Sequence, residues 1–387
     1  MNKVTLIILA LILVAVGVFY ARTSNKSSGQ DQENKTSIPF LNNNSQDSSD
    51  NVNTENIPKT TVIATGLDTP WAIAFLPDGG VLITERKGTV RLINSSGDLL
   101  PNPIAEIECV KEIGEGGLQG IALHPDFPSN YFVYLYYTYS ESGGNTLNKV
   151  VRMTYRNQKL SDEKVIVNAI PGAANHDGGR IKFGPDKMLY ITTGDAQNPS
   201  NAQDTDSLSG KILRVTYEGN PAAGNPFRNR VYSYGHRNPQ GISWDANGTL
   251  WETEHGPSGL ETGNDEFNRI EIGKNYGWPE IRGKETREGM VTPIIESGRS
   301  DTWAPAGLAY INGKFYFGGL RGQALYRVTL SGNSAELETF FKGEFGRLRE
   351  VIAGPDNMLY ITTSNRDGRG DPESDDDKVI RVNPEKL

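Results

Sequence analysis

One short phrase, repeated six times, limits what this chain can fold into more than any other feature. An apolar run, a turn and a second apolar run recur at 74–84, 122–135, 181–192, 242–251, 308–317 and 352–362. The turns read Pro-Asp, as at Pro77-Asp78 and Pro185-Asp186, or Asn-Gly, as at Asn312-Gly313. Pro sets the first turn angle, and Asp, Asn or Gly tolerates the second. Apolar alternation around such turns is the signal of a β-hairpin. After each copy comes a further short run with an arginine near its centre: Arg91, Arg152, Arg214, Arg269, Arg327 and Arg381. Each unit therefore carries at least three strands. A sheet that small cannot bury both of its faces alone, whereas units stacked radially cover one another. The expected fold is all-β, a six-bladed β-propeller. A β-sandwich is the competing reading, and six paired phrases in register count against it. The stretch 60–64 can supply an outer strand beside the last blade, with the strand order left open.

The rest of the 387 residues fits that fold. Glycine is abundant (43), as a turn-rich all-β domain requires. The net charge is −8 and no basic block occurs, which argues against a nucleic-acid partner. Cys109 is the only cysteine, so an intrachain disulfide and a cysteine-ligated zinc are both excluded. It reads as a small buried apolar residue rather than a reactive thiol. Ahead of the repeats, Lys3 precedes an apolar run over 4–20, the core of a signal peptide or a short membrane helix. No clean small-x-small cleavage site or lipobox cysteine follows, which favours an uncleaved anchor over a removed signal for residues 1–22. Residues 23–56 are rich in Ser, Asn, Asp, Gln and Thr and read as a disordered polar linker. The folded domain is expected over 57–387, on the outer side of a membrane, anchored or secreted.

A propeller gathers loops from every blade at one mouth of its central channel, so polar residues far apart in sequence converge there. Four segments break the ordinary turn pattern. The stretch 114–120 is Gly-rich and contains Gln119. Asn175-His176-Asp177-Gly178-Gly179-Arg180 places a histidine in a glycine-rich loop, where it is a candidate general base or a structural residue. His236-Arg237-Asn238-Pro239-Gln240-Gly241 offers a rigidly framed guanidinium suited to carboxylates or a developing oxyanion. Glu254-His255-Gly256-Pro257, with Asp265-Glu266 and Asn275-Tyr276-Gly277-Trp278-Pro279, collects the oxygen donors that a hard cation takes. Arg321, Arg347 and Arg349 can join Arg237 at the channel, and clustered guanidinium groups call for a polyanionic ligand. Asp375-Asp376-Asp377 reads as a solvated loop.

Taken in this order, these segments resemble the soluble quinoprotein sugar dehydrogenases, the soluble glucose dehydrogenase and aldose sugar dehydrogenase family. The likeness runs from about Gly66 to Val382. It implies a six-bladed propeller that binds pyrroloquinoline quinone (PQQ) and calcium at the channel mouth and oxidises aldoses at C1 to lactones. It implies His176 as the base, Arg237 as the stabiliser of negative charge on the reduced quinone oxygen, and Gln119 and Asn238 as cofactor contacts. Arg321, Arg347 and Arg349 match positions that pair with the PQQ carboxylates. The carbonyls of Gly256 and Pro257 match ligands of the catalytic calcium. Glu266 and the carbonyl of Tyr276 match ligands of a second, structural calcium. Asn175 stands where glucose-specific members are acidic, and Arg321 where they have lysine. The span between Pro279 and Trp303 lacks long insertions, so an open site and broad aldose acceptance are expected, with Trp303 a sugar-site wall or a core residue. Nothing reads as a haem attachment site, so electrons are expected to leave to an external acceptor. A calcium-dependent lactonase and a non-catalytic glycan- or protein-binding propeller are the alternatives.

Overall fold

The computed structural model describes residues 57–141, 143–257, 262–332 and 334–387. The expected leader (1–22) and linker (23–56) lie outside the described residues. Among those described, no helix is long and apolar enough to cross a membrane.

After an opening strand, β1 (Thr60–Ala64), the chain builds four-stranded antiparallel sheets in sequence order. Blade 1 holds β2 (Pro70–Phe75), β3 (Val81–Glu85), β4 (Thr89–Ile93) and β5 (Ala105–Glu106). Blade 2 holds β6 (Leu118–Leu123), β7 (Phe132–Ser140), β8 (Thr146–Arg156) and β9 (Lys159–Pro171). Blade 3 holds β10 (Ile181–Phe183), β11 (Leu189–Thr193), β12 (Lys211–Val215) and β13 (Val231–Tyr234). Blade 4 holds β14 (Pro239–Trp244), β15 (Leu250–Glu254), β16 (Glu266–Ile270) and β17 (Ile295–Glu296). Blade 5 holds β18 (Pro305–Ile311), β19 (Lys314–Gly319), β20 (Ala324–Ser331) and β21 (Ser334–Phe340). Blade 6 holds β22 (Leu348–Ala353), β23 (Leu359–Thr363) and β24 (Val379–Val382), and takes β1 as its outermost strand. The six repeated phrases are thus the first hairpin of each blade, and the arginine phrases are the third strands.

Six apolar clusters make up the core, and each lies between two neighbouring blades. Leu82 and Val90 of blade 1 pack with Leu135 and Val151 of blade 2, and Ile83 of blade 1 packs with Tyr360 and Val379 of blade 6. This is the physical reason a single unit cannot stand alone. The second strands β3, β11, β15 and β23 are buried at every position, because a blade covers each of their faces. In blades 3 and 6 the third-strand arginine fastens the turn of its own first hairpin. Arg214 donates from Nε to Asp186 Oδ2 at 2.7 Å, and Arg381 donates to Asp356 Oδ2 at 2.7 Å. Each of these carboxylates also accepts a tyrosine hydroxyl, from Tyr190 or Tyr360. In these two blades the Pro-Asp turn is therefore locked to its sheet by an arginine and a tyrosine that recur together.

Two expectations are corrected here. Asp376 and Asp377 are buried, at 2% and 0% exposure, not solvated. Asp377 accepts from the backbone of Thr69 and Asn365 and the hydroxyl of Thr363, at 3.1, 2.6 and 3.0 Å. It ties the start of the domain to blade 6 beside the β1–β24 pairing: ring closure brings Thr69, and the end of β23 with the turn after it brings Thr363 and Asn365. Cys109 is exposed. It lies beyond the two-residue strand β5, outside any blade interior.

Candidate active site

At one mouth of the channel the inter-strand loops enclose a cavity of about 350 Å³. Glu115 comes from the loop before β6, and His176 from the loop before β10. Arg237 precedes β14, Gly256, Pro257 and Asp265 lie between β15 and β16, Arg321 follows β19, Arg347 precedes β22, and Arg369 lies between β23 and β24.

His176 is held on three sides. Its backbone is left-handed, with φ of 65°, a conformation uncommon outside glycine. Its N–H donates to Glu115 Oε2 at 3.2 Å. Its carbonyl rests on Gly194, where a Cβ would fall 2.0 Å from that oxygen, so only glycine fits beneath the loop. Its ring Nδ1 lies 2.8 Å from Asp195 Oδ1, and the other oxygen of Asp195 accepts the indole N–H of Trp278 at 2.8 Å. A buried carboxylate at Nδ1 keeps the proton on that nitrogen and leaves Nε2 with a lone pair.

The guanidinium groups of the cavity are also fixed. Arg237 is 5% exposed, donates from Nη1 to the His255 carbonyl at 3.3 Å and lies over the Trp278 ring at 5.3 Å. Its backbone N–H donates to Glu254 at 2.8 Å. Arg347 donates twice to Asp367 Oδ2, at 2.9 and 2.7 Å. Arg369 forks across the mouth to Glu115 Oε1 at 2.9 Å and to Asn175 Oδ1 at 2.8 Å. Burial works to raise the Glu115 carboxyl, but His255, Arg369 and His176 outweigh it and hold it at about 2. Burial pushes His255 down to about 4, and its Nε2 has no partner among the described residues. Asp265 accepts from the backbones of Gly256, Trp303 and Ala304 and from Thr302 Oγ1, at 2.7–2.9 Å.

Behind this cavity, blade 4 buries a second polar group. Glu254 pairs with Glu266 across β15 and β16, and Glu252 pairs with Asn268. Asn268 Nδ2 donates to Glu252 and to Glu266, at 3.1 Å each. One oxygen each of Glu252, Asn268 and Glu296 has no hydrogen-bond partner among the described residues. Burial, reinforced by Glu254, pushes the Glu266 carboxyl up to about 8. Ligand atoms of His236, Glu252 and Glu254 lie within 4.8 Å of one another. An oxygen-rich, charge-crowded pocket of this kind suits a hard cation.

The sequence profile of the glucose/sorbosone dehydrogenases matches residues 67–371. The PQQ-bound aldose sugar dehydrogenase of Streptomyces coelicolor superimposes with a TM-score of 0.77 at 42% identity, over 83% of this chain and 97% of that one. A structure from Thermus thermophilus described as a putative oxidoreductase (glucose dehydrogenase) gives a TM-score of 0.78 at 47% identity, over 83% of this chain and 98% of that one. An aldose sugar dehydrogenase of Escherichia coli is 33% identical over 344 residues, covering 79% of this chain and 90% of that protein. The chain belongs to the glucose/sorbosone dehydrogenase family. Its enzymes are sugar oxidoreductases, as the resemblance in the motifs implied.

Against that family background the expected site residues separate into three groups. His176, Arg237, Gly256, Pro257, Arg321 and Arg347 converge on the cavity. Gln119, Asn238 and Arg349 are not among the residues that line it. Gln119 is fully buried on β6 with its Oε1 unpartnered, and the cavity position belongs to Glu115, four residues earlier. Asn238 sits in the wall, donating to Glu115 Oε2 at 3.2 Å and accepting the Gly178 N–H at 3.0 Å. Arg349 lies deeper, bonded to Gln240 Oε1 at 3.0 Å, and burial lowers it to about 9. Glu266 and Tyr276 lie away from the cavity, Glu266 in the carboxylate group and Tyr276 with its ring stacked on His236 at 4.8 Å. Trp303 is a core residue packed on Phe317 and Tyr326. Asp195, Asp367 and Arg369 escaped the reading of the sequence. A signal for Asp195 exists: Leu189-Tyr190-Ile191-Thr192-Thr193 recurs as Leu359-Tyr360-Ile361-Thr362-Thr363, and the first copy then breaks pattern with Gly194-Asp195.

Proposed function

We propose that the chain oxidises aldoses at C1 to lactones with PQQ and calcium, with His176 as the base. One observation carries this reading: an imidazole tied through Nδ1 to a buried carboxylate stands in the wall of a cavity rich in arginine. Arg237, Arg321, Arg347 and Arg369 line it, against Glu115 and Asp265. Asp367 pairs with Arg347 and Arg369 with Glu115, and the guanidinium groups of Arg237 and Arg321 also face the cavity, so its wall is rich in donors for an anionic ligand. The oxygens of a tricarboxylate would take these donors. Arg237, Arg321 and Arg347 would hold it, Gly256 and Pro257 would present carbonyls to the catalytic calcium, and Glu266 with the Tyr276 carbonyl would take the structural one. When bound, PQQ supplies the two-electron acceptor for the C1 hydride and calcium the Lewis acid that activates it.

The chain's own residues do the rest. His176 Nε2 accepts the proton of the C1 hydroxyl while Asp195 stabilises the imidazolium through Nδ1. Trp278 fixes Asp195 and carries Arg237 on its ring face, so base and guanidinium are set by one indole. Arg237 is placed to stabilise negative charge that develops beside it. Glu115 and Asp265 are already engaged by several donors each, which weighs against a lactonase that needs open carboxylates at a metal. The apolar run at 4–20 and the polar stretch after it support export, with an external electron acceptor as partner. The test is reconstitution. The purified chain should reduce a redox dye with aldoses only when PQQ and calcium are both added. Absence of PQQ binding by calorimetry would leave a non-catalytic propeller, and lactone hydrolysis without cofactor would favour the lactonase.

A further inference from the structure

The motif that supplies His176 ends in Arg180, which points chemistry toward the other end of the channel. There the inner strands of all six blades, through Phe75, Leu123, Phe183, Trp244, Tyr310 and Ala353, surround a second cavity of about 410 Å³. Its walls also hold Arg180, Lys182 and Glu350. We propose that this opposite mouth is a separate binding site for a small organic carboxylate.

Charge is the first ground. Arg180 is 2% exposed, with Nη1 on Glu350 Oε2 at 2.5 Å and Nε on the Gln240 carbonyl at 2.9 Å. Glu350 therefore neutralises one cation. Lys182 donates to the Leu308 carbonyl at 2.9 Å, a neutral acceptor, and has no carboxylate of its own. Two cations face one anion in this cavity, while Arg349, which stacks on the same Trp71 ring at 5.6 Å, has Asp367 as its countercharge. A net positive charge in such surroundings is compensated by a bound anion. Burial and neighbouring Arg180 press Lys182 down to about 8 while Glu350 resists, the direction that a bound carboxylate would reverse.

An open donor is the second ground. Arg180 Nη2 is buried and has no hydrogen-bond partner among the described residues, although stacking on Trp71 at 4.3 Å fixes the guanidinium plane. A carboxylate has two oxygens, one for Nη2 and one for the Lys182 ammonium. Shape and polarity narrow the class further. The rim is formed by half-buried Phe75, Phe183, Trp244 and Tyr310. That lining favours an apolar or aromatic body over a second charged group, so a monocarboxylate fits better than a phosphate. Ser243 also lines the cavity, but among the described residues no histidine does, and the site binds without chemistry. The two cavities share no lining residue, and buried Trp71 carries Arg180 of this one and the deeper Arg349 on its ring.

Benzoate is a suitable probe. Calorimetric titration of the full chain should show saturable 1:1 binding, and the indole resonance of Trp244 should shift with it. Benzyl alcohol, its uncharged counterpart, should not saturate. Lys182→Met should weaken benzoate by about tenfold or more, the scale of a lost charged contact. Ser243→Trp, which fills the rim and keeps Lys182, should do the same and decides the matter if the lysine variant misfolds. Arg347→Ala, in the other mouth, should leave benzoate binding intact. The proposal is overturned if benzoate does not saturate, if both Lys182→Met and Ser243→Trp bind it normally, or if Arg347→Ala alone abolishes binding. None of these outcomes depends on whether PQQ occupies the first cavity.

Discussion

The two mouths of the channel are built from different parts of the same blades. Loops form the mouth that contains His176, and its charged groups are braced by residues from other blades: Glu115 by Arg369, Asp195 by Trp278, Arg347 by Leu320. The ends of the inner strands form the other mouth, where Arg180 and Glu350 clamp blades 3 and 6 across the axis. Loops can be reshaped without disturbing the blade interfaces, so specific chemistry gathers there. Strand ends are committed to closing the ring, and charges among them serve the fold first.

That contrast can be broken most directly at its extremes. On the loop side, His176→Ala should lower turnover roughly 10²- to 10⁴-fold, the usual worth of a positioned base, with PQQ affinity and thermal midpoint close to the parent. Dye-linked assays, calorimetry and thermal denaturation read the three quantities. Full activity in the variant would remove His176 as the base. On the strand side, Glu350→Ala strips Arg180 of its only carboxylate within the axis. Removing one partner of a buried pair costs about 3–5 kcal/mol, so chemical denaturation should show a loss of that order, while the folded fraction still turns over. If stability holds, the axis pair is not a clamp and the division between the mouths fails.

Between these extremes lies Asp177, next to His176 in sequence but turned into the blade. It is 1% exposed, accepts from Asn148 and Ala173, and leaves Oδ2 without a partner. Burial raises its carboxyl from 3.8 to about 6, against those hydrogen bonds. The folded state thus holds its proton more tightly than the unfolded state. Its contribution is complete below pH 3.8 and is lost as pH rises through about 6. Asp177→Asn should flatten that fall and stabilise the protein above pH 7 by on the order of 3 kcal/mol, two pKa units at about 1.4 each. Denaturation across pH 4–8 compares the slopes. An unchanged slope would mean that Asp177 stays ionised and the loop side is less dry than its burial suggests.

Most of the fold was legible because it repeats. Each hairpin carries its own turn chemistry, and the arginine of the third strand returns in each copy, so six local signals agree. The site was legible only where an unusual residue stands in its own loop, as with His176, Arg237 and Arg347. It was not legible where position depends on which way a strand end turns. Gln119 and Glu115 lie on one short segment, and only the start of β6 decides which of them enters the cavity. Asp376 and Asp377 resembled a solvated acidic run because their loop folds back on Thr363 and Asn365 of its own blade and meets Thr69 through ring closure. Arg369 gave no signal because its acceptors, Glu115 and Asn175, lie 254 and 194 residues away.

Arg369 therefore gives the finest test of the contrast. It belongs to the loop mouth, its side chain is 48% exposed, and its acceptors sit on either side of the His176 loop. A half-exposed ion pair adds little to stability, so Arg369→Ala should leave the denaturation midpoint nearly unchanged. Its removal frees Glu115 of its hydrogen-bonded countercharge, one of the influences that hold that carboxyl at about 2. The backbone of His176 would then rest on a carboxylate that is less firmly placed. The Michaelis constant for the sugar should rise by a few-fold, about 1 kcal/mol or less, with a smaller change in kcat, the pattern of lost ground-state positioning. Arg369→Lys keeps the charge but not the two-pronged fork, and should restore the Glu115 contact without the one to Asn175. If both variants match the parent in KM, the bridge across the mouth is only a surface contact. If Arg369→Ala instead unfolds the protein, the loop mouth contributes to closing the ring, and the two ends of the channel differ less than their construction implies.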